Sequence, residues 1–504
     1  MNFPLIRLLN RRSQSQRFGR GHISYAFAVL ATAHLILGVA YLTWRTDGGM
    51  SEDARLLSWI FLLAEGFTLV GAMGFSLSHL RYRFPPCDRF PGLQSAMAEL
   101  PLIDVVIIRQ GESITATCQT AQLVQGLDYP ESCLSIRIVD CDTDLGLARQ
   151  ISDLSYEYTA TEAKRSRALQ DLLKQDVLEG DYVLVLDVGQ FPNRDLLQRL
   201  LPYFFDTPET APIANRTGYV QPMLTALERQ RAEHPLQQFI PLGEVGGDCA
   251  PLLGSGALFR QQALADLPQI DWDYPVRLGT ELHIRGWRSH ICRSTSISGI
   301  SIPLRNRQMA LLAVQHAVRL LPWWRIPITQ TQRFQYVWLA LWSIGGIATT
   351  LYLFVPVWFL WTGIAPVPAF DFVFMTWFLP YVTLGRLAWL ASTPSNCWKA
   401  TWRAERQTGA QFFQSIQTTL SSAMGKRPIA KAPSRWSFGP QAVAIVLTVS
   451  AIIVGIIRLF AIEDGSVLVG LAFCLAWATY NVALLSVVPP DLAARHQAKD
   501  PIAN

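Results

Sequence analysis

The chain has 504 residues; half are hydrophobic and 16% are charged, against about 25% charged in an average soluble domain, and the mean hydropathy is +0.22. This composition excludes a wholly soluble protein, and the abundance of aliphatic and aromatic residues excludes a disordered one. The formal charge of +5 is too small to argue for nucleic acid as a partner; its placement along the chain carries the information instead.

Five arginines, Arg7, Arg11, Arg12, Arg17 and Arg20, precede the first apolar run, from Ile23 to Trp44. A bilayer-spanning helix needs about 20 largely apolar residues, and five more such runs follow. They extend from Leu56 to Leu80, from about Tyr336 to Trp361, from Phe370 to about Leu390, from Gln441 to Ile462 and from Val467 to about Val488. The loop between the first two runs is acidic and the segment after the second is basic. The loop between the third and fourth has no Lys or Arg, whereas the segment from Pro394 to Pro440 carries Lys399, Arg403, Arg406, Lys426, Arg427, Lys431 and Arg435. Lys and Arg accumulate on the cytoplasmic side of membrane proteins. One topology satisfies all of these: both termini, the large middle segment and the basic segment are cytoplasmic, in a plasma or inner membrane. The first run has no small-residue cleavage site and reads as an uncleaved anchor. Of the 8 Cys, none forms a CxxC pair. A cytoplasmic location predicts free thiols, and Cys474 falls inside a span.

Between the second and third spans lie three short apolar runs rich in β-branched residues: Leu102 to Ile108, Leu134 to Val139 and Tyr182 to Leu186. Helical patterns from Ile114 to Gln125 and from Ala163 to Leu178 separate them, so the middle segment reads as an α/β layer with parallel strands. Ligands in such folds sit beyond the carboxyl ends of the strands. The residues there are Gly111 and Glu112, then Asp140, Cys141 and Asp142, then Asp187, Val188 and Gly189. A carboxylate at each of three strand ends suits a nucleotide diphosphate and its Mg²⁺. Asp also caps helices and opens turns after strands, which is the ordinary reason for it there.

In chain order, PLIDVVIIRQGE, LDYPESCLSIRIVDCDTD, RSRALQDLL, LVLDVGQFPNRDLLQRLLPYF, GYVQP, LLGSGALFRQQAL, LGTELHIRGWRSHI and WRAERQTGAQFFQSIQTTLSSAMGKR resemble the successive motifs of membrane-embedded family 2 glycosyltransferases of the cellulose-synthase type. The resemblance implies a GT-A-like cytoplasmic α/β domain, residues 81–333, inserted in an α-helical membrane domain of about six transmembrane helices, two before it (1–80) and four after (334–394 and 441–488). A basic amphipathic segment (395–440) and a cytoplasmic tail (489–504) complete the chain. It implies inverting transfer of a sugar from a nucleotide sugar to a growing chain. It places Glu112, Asp140, Asp187 and Arg165 at the nucleotide and Gly254, Ser255 and Gly256 on the acceptor or diphosphate side.

The motifs that carry the chemistry depart from the family. DxD reads Asp187-Val188-Gly189 here, which leaves Asp187 as the one metal-ligand carboxylate. At the position of the TED base, counting back from Arg285-Gly286-Trp287, stand Asp273, Tyr274 and Pro275. Proline cannot accept a proton, and Asp273 is the candidate base; the Thr280-Glu281 pair is too close to Gly286 and reads as helix. The QxxRW motif has no Trp in its place. Arg305, Arg307 and Gln315, from the amphipathic run Arg305 to Leu321, are candidates to face the diphosphate, and the same run suits a helix lying among lipid headgroups. Two functions remain. One is a subunit or scaffold of a membrane assembly, catalytically impaired, with other membrane proteins and the bilayer as partners. The other is an active transferase using Mg²⁺ or Mn²⁺ and a nucleotide sugar. A small-molecule transporter is disfavoured, since the plain charges within the spans are Glu65, Arg386 and Arg458.

Overall fold

The computed structural model describes residues 25–80, 100–144, 146–148, 156–162, 165–205, 216–224, 249–252, 254–268, 270, 275–298, 328–392, 412–424 and 439–486, with positions 398, 402, 405, 406, 409 and 410 in addition. In chain order the elements are α1 (Tyr25–Asp47), α2 (Arg55–Leu80), β1 (Ile103–Arg109), α3 (Ile114–Gln125), β2 (Leu134–Asp140), β3 (Glu157–Ala160), α4 (Arg165–Lys174), β4 (Tyr182–Asp187), β5 (Phe191–Pro192), α5 (Leu196–Leu200), β6 (Thr217–Leu224), β7 (Ala257–Arg260), α6 (Gln261–Ala265), α7 (Pro275–Ile284), β8 (Arg288–Ser298), α8 (Gln330–Thr362), α9 (Phe372–Ser392), α10 (Phe412–Ala423), α11 (Gly439–Ala461) and α12 (Gly465–Leu485). They divide into two compact units, one of residues 1–80 and 338–504, the other of residues 81–337.

The second unit is built on an eight-stranded sheet in the order β3-β2-β1-β4-β7-β6-β8-β5. Strands β1 to β4 are parallel, and β7 runs antiparallel to both β4 and β6. Its parallel half is the α/β layer that the order of the apolar runs predicts. Every residue of β1 and β4 is buried, as continuous apolar runs require when helices cover both faces. The charged residues in these strands are Arg109 and Asp187 at their ends and, inside β1, Asp104. Its carboxylate accepts the amide of Gly180 at 2.7 Å, and burial raises its pKa against that bond. Helix α3 starts where Ser113 accepts the Ala116 amide at 3.2 Å, a side-chain cap for one of the orphan donors of the first turn. The core of this unit gathers Val106, Val183, Val185, Leu169, Tyr219, Phe259 and Leu282.

Six helices of the first unit are long and apolar enough to cross a membrane: Tyr25–Asp47, Arg55–Leu77, Ile344–Thr362, Phe372–Ser392, Gly439–Ala461 and Val467–Leu485. Two precede the α/β unit in the chain and four follow it, as the hydropathy pattern predicts. Their exposed residues are large and apolar, among them Ile36, Leu63, Val446 and Phe460. Their inward faces meet in an aromatic cluster in which Phe370, Phe374, Phe378, Phe473 and Trp477 pack with ring centroids 4.9–6.4 Å apart. Polar contacts fasten the helices to each other. Arg458 donates to the carbonyls of Phe359 and Leu360 at 3.1 and 3.0 Å, joining the Gly363 amide at Phe359 and giving the Leu360 carbonyl a side-chain donor at the C-terminal end of α8. Arg386 pairs with Glu405 and donates to the Tyr480 hydroxyl at 2.7 Å.

The first apolar run ends at Trp44 in the sequence, but α1 continues past it and takes in Arg45 in its last turn. Arg45 is fully buried and bonded to Glu65 of α2 at 3.1 Å, with its guanidinium 5.8 Å from the centre of the Phe61 ring. The six described cysteines, Cys118, Cys133, Cys141, Cys249, Cys292 and Cys474, are free thiols.

Candidate functional site

The parallel half of the sheet brings Arg109, Asp140 and Asp187 to neighbouring strand ends, with Asp187 one register position away from the Arg109–Asp140 pair. Arg109 lies opposite Asp140 and Ile108 opposite Asp187. Adjacent strands are about 4.8 Å apart, so the Asp140 and Asp187 ends flank that of β1 at roughly 10 Å from each other.

Asp140 is completely buried. Its carboxylate accepts the amides of Asp142 at 3.1 Å and Asp144 at 2.8 Å, the Tyr158 hydroxyl at 3.0 Å and Nη1 of Arg109 at 2.8 Å. Burial alone would raise its pKa; the two amides, the guanidinium and the phenol together hold it below the usual carboxylate range. Arg109 also reaches Asp144 through Nη2 at 3.2 Å and donates Nε–H to the carbonyl of Glu112 at 2.9 Å. The Glu112 carboxylate turns back onto the Gln110 amide at 2.6 Å, and the Asp142 carboxylate accepts the Gly111 amide at 2.5 Å. These loops are thus held by their own side chains.

Arg109 is the residue that the sequence reading missed. The apolar run ends at Ile108 in the sequence, whereas β1 continues one residue further. The available signal was a charged residue directly after a buried strand, one position from the expected ligand end. Only the β1–β2 register shows that its partner is Asp140.

At the end of β4, Asp187 is buried and its Oδ2 accepts the hydroxyl of Ser255. Ser255 in turn accepts the side-chain amide of Gln190 at 2.8 Å, and the Gln190 carbonyl oxygen accepts the Asp187 amide at 3.0 Å. The structure thereby joins Asp187 to the Gly254-Ser255-Gly256 turn. That turn needs its glycines, because φ is +143° at Gly254 and +93° at Gly256, outside the range of ordinary side chains. Gly189 also has positive φ, +84°, and its amide donates to Thr120 of α3 at 2.9 Å.

A resident divalent cation needs several oxygen ligands in convergent geometry. Here Asp187 offers a carboxylate already engaged by Ser255, Gly189 offers no side chain, and no group of three His, Cys, Asp or Glu able to hold a metal occurs among the described residues. With Asp187 as the one side-chain carboxylate described at this strand end, the other ligands of a divalent cation would have to come from a substrate diphosphate and water.

Pro275 opens α7, a position where its missing N–H costs nothing. Thr280 and Glu281 are helical, as predicted: Thr280 donates to the Val276 carbonyl at 2.7 Å and Glu281 pairs with Arg285 at 2.9 Å. Asp273, Arg305, Arg307 and Gln315 lie outside the described residues, and of Arg165 only the backbone, at the start of α4, is described. His283 is fully buried, with Nδ1 2.6 Å from the Tyr336 hydroxyl and Nε2 2.8 Å from the Ser289 hydroxyl. It is a packing residue with a complete set of hydrogen bonds.

No protein-family model matches the chain. Curated relatives do. Cellulose synthase 1 of Komagataeibacter xylinus is 25% identical over 181 residues, 35% of this chain and 11% of the relative. The cellulose synthase catalytic subunit [UDP-forming] of Pseudomonas fluorescens (strain SBW25) is 23% identical over 194 residues, 37% of this chain and 25% of the relative. Glucomannan 4-beta-mannosyltransferase 2 of Arabidopsis thaliana is 23% identical over 235 residues, 41% of this chain and 42% of the relative. The matches therefore span less than half of the length of each of these relatives. Among solved structures, the mannosyltransferase PcManGT from Pyrobaculum calidifontis in complex with GDP-Man and Mn²⁺ aligns with 72% of this chain and 99% of its own, at a TM-score of 0.48 and 16% identity.

Proposed function

We propose that this cellulose-synthase-like membrane protein keeps the skeleton of a family 2 glycosyltransferase but not its fast transfer chemistry, and serves as a subunit or scaffold of a membrane assembly. The observation that carries this reading is the state of Asp187. It is the one carboxylate left of the metal-binding motif, its Oδ2 is bonded to Ser255, and Gly189 stands where a second carboxylate is needed. Transfer from a nucleotide sugar needs the departing diphosphate neutralised and the acceptor hydroxyl deprotonated. A positioned base is typically worth about 10²–10⁴-fold, and Pro275 cannot act as one. The proposed topology places the α/β unit and both termini in the cytoplasm, supported by the bias of Lys and Arg. The proposed division of the chain is that of the sequence reading, with the soluble unit at residues 81–333.

The test is nucleotide release by the purified full-length protein from UDP- and GDP-sugars with Mg²⁺ or Mn²⁺. No release above the uncatalysed background is expected, together with co-purification of other membrane proteins. Steady turnover overturns the reading in favour of an active inverting transferase that uses a divalent cation. That alternative is favoured by retention of a carboxylate at Asp187 and by similarity to a relative named UDP-forming. Under it, Asp187→Ala and Asp273→Ala each abolish release.

A gain-of-function variant probes the missing ligand directly. A Cβ added at Gly189 meets nothing within 4 Å, and Asp is one of the few residues that tolerate a left-handed conformation. Gly189→Asp is expected to raise Mn²⁺ affinity by about tenfold or more, equivalent to ~1.4 kcal/mol, as read by electron paramagnetic resonance of free Mn²⁺. Unchanged affinity in the folded variant would show that the second carboxylate is not what the site lacks.

A further inference from the structure

In an open α/β sheet the ligand crevice forms where strand order reverses. From β1 the chain moves outward through β2 and β3, then returns to β4 on the other side of β1. The crevice therefore opens beyond Arg109 and Asp187. Arg109 is only 6% exposed there. Its guanidinium is fixed by Asp140 at 2.8 Å, by Asp144 at 3.2 Å and by the Glu112 carbonyl at 2.9 Å. Asp140 has its remaining acceptor capacity taken by the Asp142 and Asp144 amides and the Tyr158 hydroxyl.

A guanidinium is a flat group with N–H donors along its edge, and so presents to a strand-end carboxylate the same kind of contact as the N–H edge of a nucleobase. We propose that Arg109 is an internal stand-in for a nucleoside: it occupies the strand-end crevice, saturates Asp140, and excludes a nucleoside diphosphate for as long as it stays paired. The pairing is stronger than a surface ion pair because both partners are almost wholly buried. Its charge-assisted contacts would have to be broken before any base could reach Asp140.

This proposal rests on reading the cleft as a sugar-nucleotide site. Its test is isothermal titration of UDP into the full-length protein in detergent, for the unaltered chain, Arg109→Ala and Arg109→Gln. Glutamine keeps an N–H donor for Asp140 and serves if the alanine variant does not fold. The unaltered protein is expected to show no saturable binding, and a folded variant to bind UDP at least about tenfold more tightly. Equal affinity in the unaltered protein and a folded variant overturns the proposal. The unaltered protein supplies an independent check: excess UDP leaves the amide exchange of residues 109–113 and 140–144 unchanged, and protection there overturns the proposal whatever the variants do. Sugar transfer by the unaltered protein would sink the reading of the function, whereas unchanged UDP affinity in a folded Arg109 variant sinks this inference alone.

Discussion

Replacing Arg45 with methionine is expected to lower the stability of the detergent-solubilised protein by about 3–5 kcal/mol. Arg45 and Glu65 are 0% and 1% exposed, so neither has water to fall back on. Arg45 also donates to the carbonyls of Gly49 and Pro366, and the Tyr41 hydroxyl donates to Glu65. The single variant strands a buried carboxylate with the phenol as its one remaining partner among these contacts. Removing both charges, in Arg45→Met/Glu65→Leu, takes away the stranded charge as well, and is expected to recover more than half of the loss. Thermal unfolding of the two variants beside the unaltered protein measures this. A single variant as stable as the parent would mean that the pair is not buried in the folded protein.

The second large effect is an acid-side loss of stability centred on His283. Burial, reinforced by the neighbouring His290, brings its pKa down to about 3. In the unfolded chain it titrates near 6.5. Between these values the unfolded state binds a proton that the folded state refuses, so stability rises with pH and falls on acidification. The expected loss is ~1.4 kcal/mol for each pH unit below about 6.5. Asp140 adds to the loss only further down, since its depressed pKa lies below the usual carboxylate range. Chemical denaturation at pH steps from 7 to 4 isolates the histidine window. His283→Gln lowers stability at pH 7, because Ser289 and Tyr336 lose part of their bonding, but flattens the slope. An unchanged slope in that variant would assign the acid lability to another group.

The cluster of strand ends was partly legible in the sequence. Asp140 and Asp187 announce themselves by following β-branched apolar runs, and the motif order points to the Gly254-Ser255-Gly256 turn. What could not be read was how these groups are engaged. Ser255 and Asp187 are 68 residues apart and their bond exists because β7 pairs antiparallel with β4. Arg109 and Asp140 are 31 residues apart and meet through a parallel register that no local pattern records. The burial of His283 depends on Tyr219, Ser289 and Tyr336 closing around it, which no local pattern in its helix records.

The sequence by itself determined the six apolar helices and the α/β order of the middle unit. Both follow from the length and period of hydrophobic runs, which are local and additive properties of the chain. It also shows that Gly189 and Pro275 carry no titratable side chain, which residue identity alone decides. Tertiary structure decided what each buried charge is paired with: Arg45 with Glu65, Arg109 with Asp140, and Asp187 with the neutral hydroxyl of Ser255. A buried charge is tolerable only beside a partner, and the partner is chosen by strand register and helix packing between residues far apart in the chain.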